Sequence, residues 1–127
     1  MKHLYVTFAM VILTIGVPLY AHHSFAAYYF ESQSMSIEGE IVEFEYKNPH
    51  AWVHVSATDS IGQIQEFSAE WSNPNRLKQQ NITKDTLKIG DYVIVTGAPG
   101  RKTSDRVLHL KAIQRPADGW MWGGGRR

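Results

Sequence analysis

The chain has 127 residues, enough for one domain, and 43% of them are hydrophobic, so a packed core can form. It has no cysteine, which excludes disulfides, thiolate metal sites and cysteine nucleophiles, so any metal site must use histidine, carboxylate, backbone or terminal amine. The formal net charge is +1, and this near neutrality argues against nucleic acid as the main partner, because phosphate binding needs a basic surface.

Residues 1–21 predict a secretory signal peptide. Lys2 gives a basic start, residues 4–20 are uncharged and mostly apolar, and Leu19-Tyr20-Ala21 is similar to a small-residue cleavage site. A membrane anchor is the alternative, but a span needs about 20 apolar residues and this run is shorter and holds Pro18. We therefore expect a periplasmic or secreted protein that does not span a membrane once the signal is removed.

The next segment, residues 22–35, begins with two histidines and continues with aromatic residues that follow no clean period. We interpret it as an irregular N-terminal arm that packs on the domain. Residues 36–46 then alternate as a long strand, with glutamates on the solvated face. The apolar alternation slips by one position after Ile41, and such a slip indicates a β-bulge.

Alternating patterns predict four more strands, at residues 52–58, 64–71, 92–97 and 107–113. Asn73 as an N-cap and Pro74 at the first helical position predict a short helix between the third and fourth strands. The segment 116–127 is rich in glycine, tryptophan and arginine, and we expect a flexible tail there.

This order of elements is typical of an all-β fold, a five-stranded OB-fold-like small barrel with one short helix between strands 3 and 4, over residues 36–115. Another small β-barrel or a sandwich is the alternative architecture.

Several motifs along the chain resemble a known family. They are His22-His23-Ser24-Phe25, residues 39–46 running into Asn48-Pro49-His50-Ala51-Trp52, residues 72–77, and residues 87–91 before 93–97. Together they resemble a family of short exported bacterial proteins of unknown function. The resemblance implies export and a small β-barrel, and it implies no activity.

The histidines after the signal peptide indicate a metal-binding terminus. Cleavage after Ala21 would leave His22 first, and its α-amine and ring Nδ1 could chelate one metal ion. One further imidazole would complete a histidine brace, a nitrogen-rich set that suits Cu(II). Cleavage after Tyr20 would instead place His23 third, where it can bind Cu(II) or Ni(II) in a square plane with the amine and two deprotonated amides.

Two histidines near the second strand could supply that imidazole. His50 lies in the loop between strands 1 and 2, which borders the ligand face of an OB-fold together with the strand 4–5 loop that holds Arg101. A turn-capping role for His50 is the alternative. His54 shares a strand face with Trp52, either as a ligand or as a hydrogen-bonded residue. His109 lies between two leucines and is predicted to face solvent.

The aromatic residues allow a second type of site. Trp52 and Trp71 could form a stacking platform for a sugar or a base, although a small barrel also needs large side chains in its core. We find no serine elbow, no phosphate-cradling glycine loop and no His-Glu-x-x-His pattern, so no reaction is predicted.

Two hypotheses follow. In the first, an exported periplasmic barrel binds copper through His22 and His50, with His23 and His54 in reserve. In the second, a binding module recognises an envelope protein or a glycan through an aromatic face. The residues of that face would be Trp52, Trp71 and Arg101.

Overall fold

The computed structural model describes residues 24–124, so the predicted signal peptide, His22 and His23 lie outside the described part. The elements, in chain order, are α1 (Ser24–Tyr28), β1 (Met35–Glu45), β2 (Trp52–Thr58), β3 (Ile64–Glu70), α2 (Pro74–Gln79), β4 (Tyr92–Pro99), a 3-10 turn (Thr103–Asp105), β5 (Val107–Arg115) and β6 (Trp120–Gly123). No helix within residues 24–124 is long and apolar enough to cross a membrane.

Five of the strands close into a barrel. They follow the order β3-β2-β1-β4-β5, and β3 pairs with β5 in parallel to complete the ring. Every other neighbouring pair is antiparallel. This strand order, with α2 between β3 and β4, is the OB-fold arrangement that the sequence predicted.

Strand β1 pairs with two neighbours and bends between them. Its first half pairs with β4 and its second half with β2. The register shifts between Ile41 and Glu43, which is the bulge expected from the slipped alternation. Val42 is the extra residue and is exposed, whereas the slipped alternation predicts it on the apolar face with Phe44 and Tyr46. Gly39 permits the close approach of β2, because a Cβ there would lie 1.9 Å from the Ser56 carbonyl oxygen.

The barrel interior is filled by alternate residues of the strands and capped by α2. Val53 and Val55 of β2 are fully buried, and Leu77 of α2 is buried beside them in the same core. Asn73 caps α2 as predicted, since its side chain accepts a hydrogen bond from the Arg76 backbone N–H at 3.0 Å.

The C-terminal segment differs from the prediction of a flexible tail. Residues 120–123 form β6, which pairs antiparallel with β5. The turn before it is fixed by Arg115, whose guanidinium donates hydrogen bonds to Asp118 and Asp91 and lies 5.4 Å from the centroid of the Trp120 ring. Residues 120–123 of the predicted tail therefore form a sixth strand, paired with the part of β5 that does not pair with β3.

Candidate functional site

The N-terminal arm docks on the loop between β4 and β5. The Phe30 N–H donates to the Pro99 carbonyl at 2.8 Å, and the Arg101 N–H donates to the Tyr28 carbonyl at 2.9 Å. The Arg101 side chain also donates to the Ala26 carbonyl at 2.8 Å. The arm is thus bound to the barrel by backbone pairing, and it brings α1 against the polar faces of β3 and β5.

Glu70, at the end of β3, joins the arm to the loop before β2. Its carboxylate accepts a short hydrogen bond from the Tyr29 hydroxyl and a second bond, of 2.6 Å, from the His50 ring. Tyr29 is 3% exposed, and burial, followed by the hydrogen bond to Glu70 and its charge, raises the pKa of the phenol far above its ordinary value. Tyr29 therefore remains a neutral donor to Glu70.

This contact fixes the tautomer of His50. A carboxylate only accepts hydrogen bonds, so in the neutral ring the proton lies on Nδ1 and the lone pair on Nε2. Within residues 24–124 Nε2 makes no hydrogen bond, and the side chain is 34% exposed. In metal-binding histidines one ring nitrogen usually donates to a carboxylate, and the other nitrogen is free to bind the metal. The His50 ring bonds a carboxylate and not the backbone of the turn, so the turn-capping alternative is wrong.

His109 has the same arrangement, and the prediction that it simply faces solvent is wrong. Its Nδ1 lies 2.7 Å from Glu31, and its side chain is 16% exposed. The ring stacks on Phe25 at 3.8 Å between centroids, and His50 stacks on the same Phe25 at 5.4 Å. Both histidines and Phe25 line one cavity of about 230 Å³.

Glu31 is held in its charged form at this position. Burial alone would raise its pKa, but hydrogen bonds from Lys111 and His109 outweigh burial and lower the pKa of the carboxyl. The Lys111 ammonium lies 2.6 Å from the second carboxylate oxygen. Glu31 therefore accepts a hydrogen bond from Nδ1 of His109, and in the neutral ring the lone pair then lies on Nε2.

His54 differs from these two histidines because both of its ring nitrogens are occupied. Nε2 donates to Glu45 at 2.7 Å, and Nδ1 accepts from the Ser68 hydroxyl at 2.8 Å. Glu43, Glu45 and His54 do place three potential ligand atoms within 4.8 Å of one another. The Lys47 ammonium already pairs with Glu45, and Lys47, followed by His54, lowers the pKa of the Glu45 carboxyl, so Glu45 and His54 are already paired. His54 has no free nitrogen for a metal in this arrangement.

A larger cleft lies under the arm and contains two of the residues predicted for the aromatic face. Trp52 and Arg101 both line it, together with Tyr28, Glu70 and Lys102, and its volume is about 640 Å³. That volume is within the range of small-molecule sites. Trp52 is half-buried, and its ring stacks on His54 with 6.5 Å between centroids.

Trp71 does not belong to this cleft. It is 1% exposed in the core, where it packs edge-on against Trp122 at 5.0 Å. Its indole N–H has no hydrogen-bond partner among the described residues. The sequence-based assignment of Trp71 to an exposed aromatic face is therefore wrong, because the barrel core takes this side chain.

The sequence analysis missed His109 because its neighbours come from distant parts of the chain, Glu31 from the arm and Glu70 from the strand that closes the barrel. The parallel β3–β5 register places His109 beside Glu70, 39 positions earlier in the chain. An OB-fold prediction implies that β5 closes on β3, so the polar faces of these two strands could have been compared. His22 and His23, the other predicted ligands, lie outside the described residues.

Comparison with known proteins identifies the family and no activity. A family of unknown function (DUF6152) matches residues 10–109, and the chain belongs to it. No curated protein matches the chain. The chain is similar in structure to Rim1, a mitochondrial single-stranded DNA binding protein from S. cerevisiae, with a TM-score of 0.47 and 18% identity over 73% of this chain and 96% of that chain. At this level the similarity identifies neither a ligand nor a reaction.

Proposed function

We propose that this protein is exported by its N-terminal signal peptide and binds a copper ion in the periplasm. The ligands would be the amine and ring of His22, as the first mature residue, and Nε2 of His50. Its role would be metal handling rather than turnover. The observation that carries the proposal is the Glu70–His50 contact of 2.6 Å, which leaves Nε2 as an open nitrogen ligand.

The position of the arm supports the proposal. Phe25 rests on the His50 ring, and His22 precedes Phe25 by only three residues. Three residues span at most about 11 Å, and the proposal requires that the amine of a chain beginning at His22 uses this reach to meet the His50 ring. Nitrogen ligands without thiolates favour Cu(II) among the divalent ions, and the chain has no cysteine.

The test uses protein purified from the periplasm. Denatured mass identifies the first residue, and titration with Cu(II) against a competing chelator gives the affinity. His50→Ala is expected to weaken binding more than about 100-fold, beyond the usual cost of losing a supporting residue. His54→Ala is the matched control and should bind as wild type does. A wild-type chain that takes up no copper, or a His50→Ala variant with unchanged affinity, would contradict the proposal.

A second candidate function is supported by the cleft of about 640 Å³ that contains Trp52 and Arg101. In this alternative the domain is an envelope binding module that recognises a protein or a glycan without metal. A partner retained from envelope extract should then be lost with Trp52→Ala and remain with chelator present. Tyr92→Ala, which removes an exposed aromatic residue outside this cleft, is the control.

A further inference from the structure

We infer that the cleft under the arm binds an acidic glycan, a saccharide whose sugar rings carry carboxylates. Trp52 stacks on a sugar ring, and Arg101 and Lys102 bind its carboxylate. Glu70 and Asp105 accept hydrogen bonds from its hydroxyls. The inference rests on the second candidate function, since it names the class of ligand for the same cleft, and it requires no metal.

The fold builds this cleft from separate parts of the chain. Trp52 of β2 and Glu70 of β3 are cross-strand partners, so their side chains lie side by side on the outer face of the barrel. The loop between β4 and β5 lies along β3, where the Ser68 N–H donates to the Arg106 carbonyl at 3.0 Å. Residues 27–29 of the arm form another wall, and the volume is about 640 Å³. A cleft in this size range holds a small organic molecule, so at least one sugar ring fits.

Arg101 is oriented in advance for a carboxylate. Its Nε–H donates to the Ala26 carbonyl at 2.8 Å, and its guanidinium lies 4.5 Å from the centroid of the Phe30 ring. These two contacts fix the plane of the guanidinium. The hydrogens on its two terminal nitrogens have no acceptor among residues 24–124. A guanidinium fork of fixed orientation matches the two oxygens of a carboxylate, so Arg101 is the anchor for the acidic group.

Lys102 adds a second positive charge to the same wall of the cleft. Its side chain is exposed and takes part in no ion pair within the described part of the chain. Two neighbouring cations in a cleft raise the local concentration of anions. The ligand of this cleft therefore carries negative charge.

The acidic residues of the cleft favour a sugar over a simple polyanion. Glu70 and Asp105 also line it. The Glu70 oxygens accept one hydrogen bond each, from Tyr29 and from His50, and Asp105 accepts from the Ser104 hydroxyl at 3.3 Å. A carboxylate has about four lone-pair sites, so both residues can also accept from ligand hydroxyls. They would repel a chain of phosphates, and they suit a ligand with hydroxyl donors beside its own carboxylate.

Trp52 supplies the flat apolar surface on which a sugar ring can pack. Its indole is half-buried and lies nearly parallel to the His54 ring, at an interplanar angle of 15°. Tyr28 lines the same cleft and is 71% exposed. Aromatic side chains combine a large apolar area with a polar group at the edge, which suits a ligand with both C–H and hydroxyl groups.

The experiment measures binding of a galacturonic acid oligosaccharide to the full exported protein, freed of metal, by isothermal titration calorimetry. The methyl ester of this oligosaccharide, which has no charge, is the matched probe, and polyphosphate tests charge alone. The acid is expected to bind at least about 10-fold more tightly than either probe, because its carboxylate makes charge-assisted hydrogen bonds with Arg101.

Variants test the assigned residues separately. Trp52→Ala and Lys102→Gln should each weaken binding of the acid by about 10-fold or more. Arg101→Gln should remove the preference for the acid over the ester. Lys78→Gln and Tyr92→Ala are the controls, because each removes an exposed residue of the same type outside the cleft, and both should bind as wild type does.

The outcomes separate this inference from the function on which it rests. If the ester or polyphosphate binds as tightly as the acid, the inference is wrong. If no saccharide binds but a partner from envelope extract is lost with Trp52→Ala, the inference is wrong and the second candidate function stands. If Trp52→Ala affects neither a saccharide nor a partner, that function fails as well. Should Arg101→Gln release the arm, the affinity of Lys102→Gln decides the question.

Discussion

Removing the Tyr29 hydroxyl tests whether the arm is docked by a hydrogen bond to a charged group. In Tyr29→Phe the ring remains in its buried position and only the bond to the Glu70 carboxylate is lost. A hydrogen bond to a charged group contributes about 1.5–3 kcal/mol, and Glu70 keeps its second bond, from His50, so we expect a loss of about 2 kcal/mol. For a domain of this size that corresponds to a fall in Tm of roughly 10 °C.

The assay combines urea unfolding, followed by tryptophan fluorescence, with amide hydrogen exchange in the arm. If the arm opens separately from the barrel, the loss of stability is measured as faster hydrogen exchange of the Tyr29 amide. This amide donates to the Phe25 carbonyl at 2.8 Å. Tyr28→Phe is the matched control, because Tyr28 is 71% exposed and should change stability by less than about 0.5 kcal/mol. A Tyr29→Phe variant that matches this control in both measurements would refute the reasoning.

Two further predictions concern the barrel and its sixth strand. Gly39→Ala should lower the free energy of unfolding by about 3 kcal/mol, because the new Cβ would meet the Ser56 carbonyl oxygen at 1.9 Å. Gly62→Ala is the control, because the new Cβ would meet no atom and only the φ of +84° is unfavourable, so the loss should be about 1 kcal/mol. If urea unfolding gives the same loss of stability for both variants, the steric argument is wrong. Hydrogen bonds from Arg115 and from a backbone amide lower the pKa of Asp118, so its contribution to stability is present at neutral pH and is lost as the pH falls through the acid range. Asp118→Asn should therefore be less stable than wild type at neutral pH and converge with it in acid, and a pH-independent difference would argue against the ion pair.

The features that the sequence predicted are those set by local interactions. The bulge after Ile41 follows from a shift in a two-residue period, and the start of α2 follows from the side chain of Asn73 and the fixed φ of Pro74. Each depends on residues a few positions apart. The OB-fold arrangement could be predicted because the order of such local elements leaves few ways to close a barrel.

The features that could not be predicted from the sequence are set by long-range packing. The burial of Trp71 depends on how β3 and β6 enclose the core, and the position of His109 depends on a parallel register between distant strands. Strand β6 had a local signal that could have been used. Asp118-Gly119 before alternating aromatic residues is a typical hairpin sequence, and Gly119 has the positive φ, 74°, that such turns need.

The contacts of Glu70 show which substitutions can distinguish the two candidate functions. Its carboxylate binds Tyr29 of the arm and His50 of the proposed copper site, and it also lines the cleft that contains Trp52. A substitution of Glu70 would therefore disturb the arm, the metal ligand and the cleft together. His50 lines the smaller cavity and Trp52 lines the larger cleft, so each belongs to only one of the two sites. Because His50→Ala leaves Trp52 in place and Trp52→Ala leaves the imidazole in place, loss of copper with the first and loss of a partner with the second would assign each function to its own site.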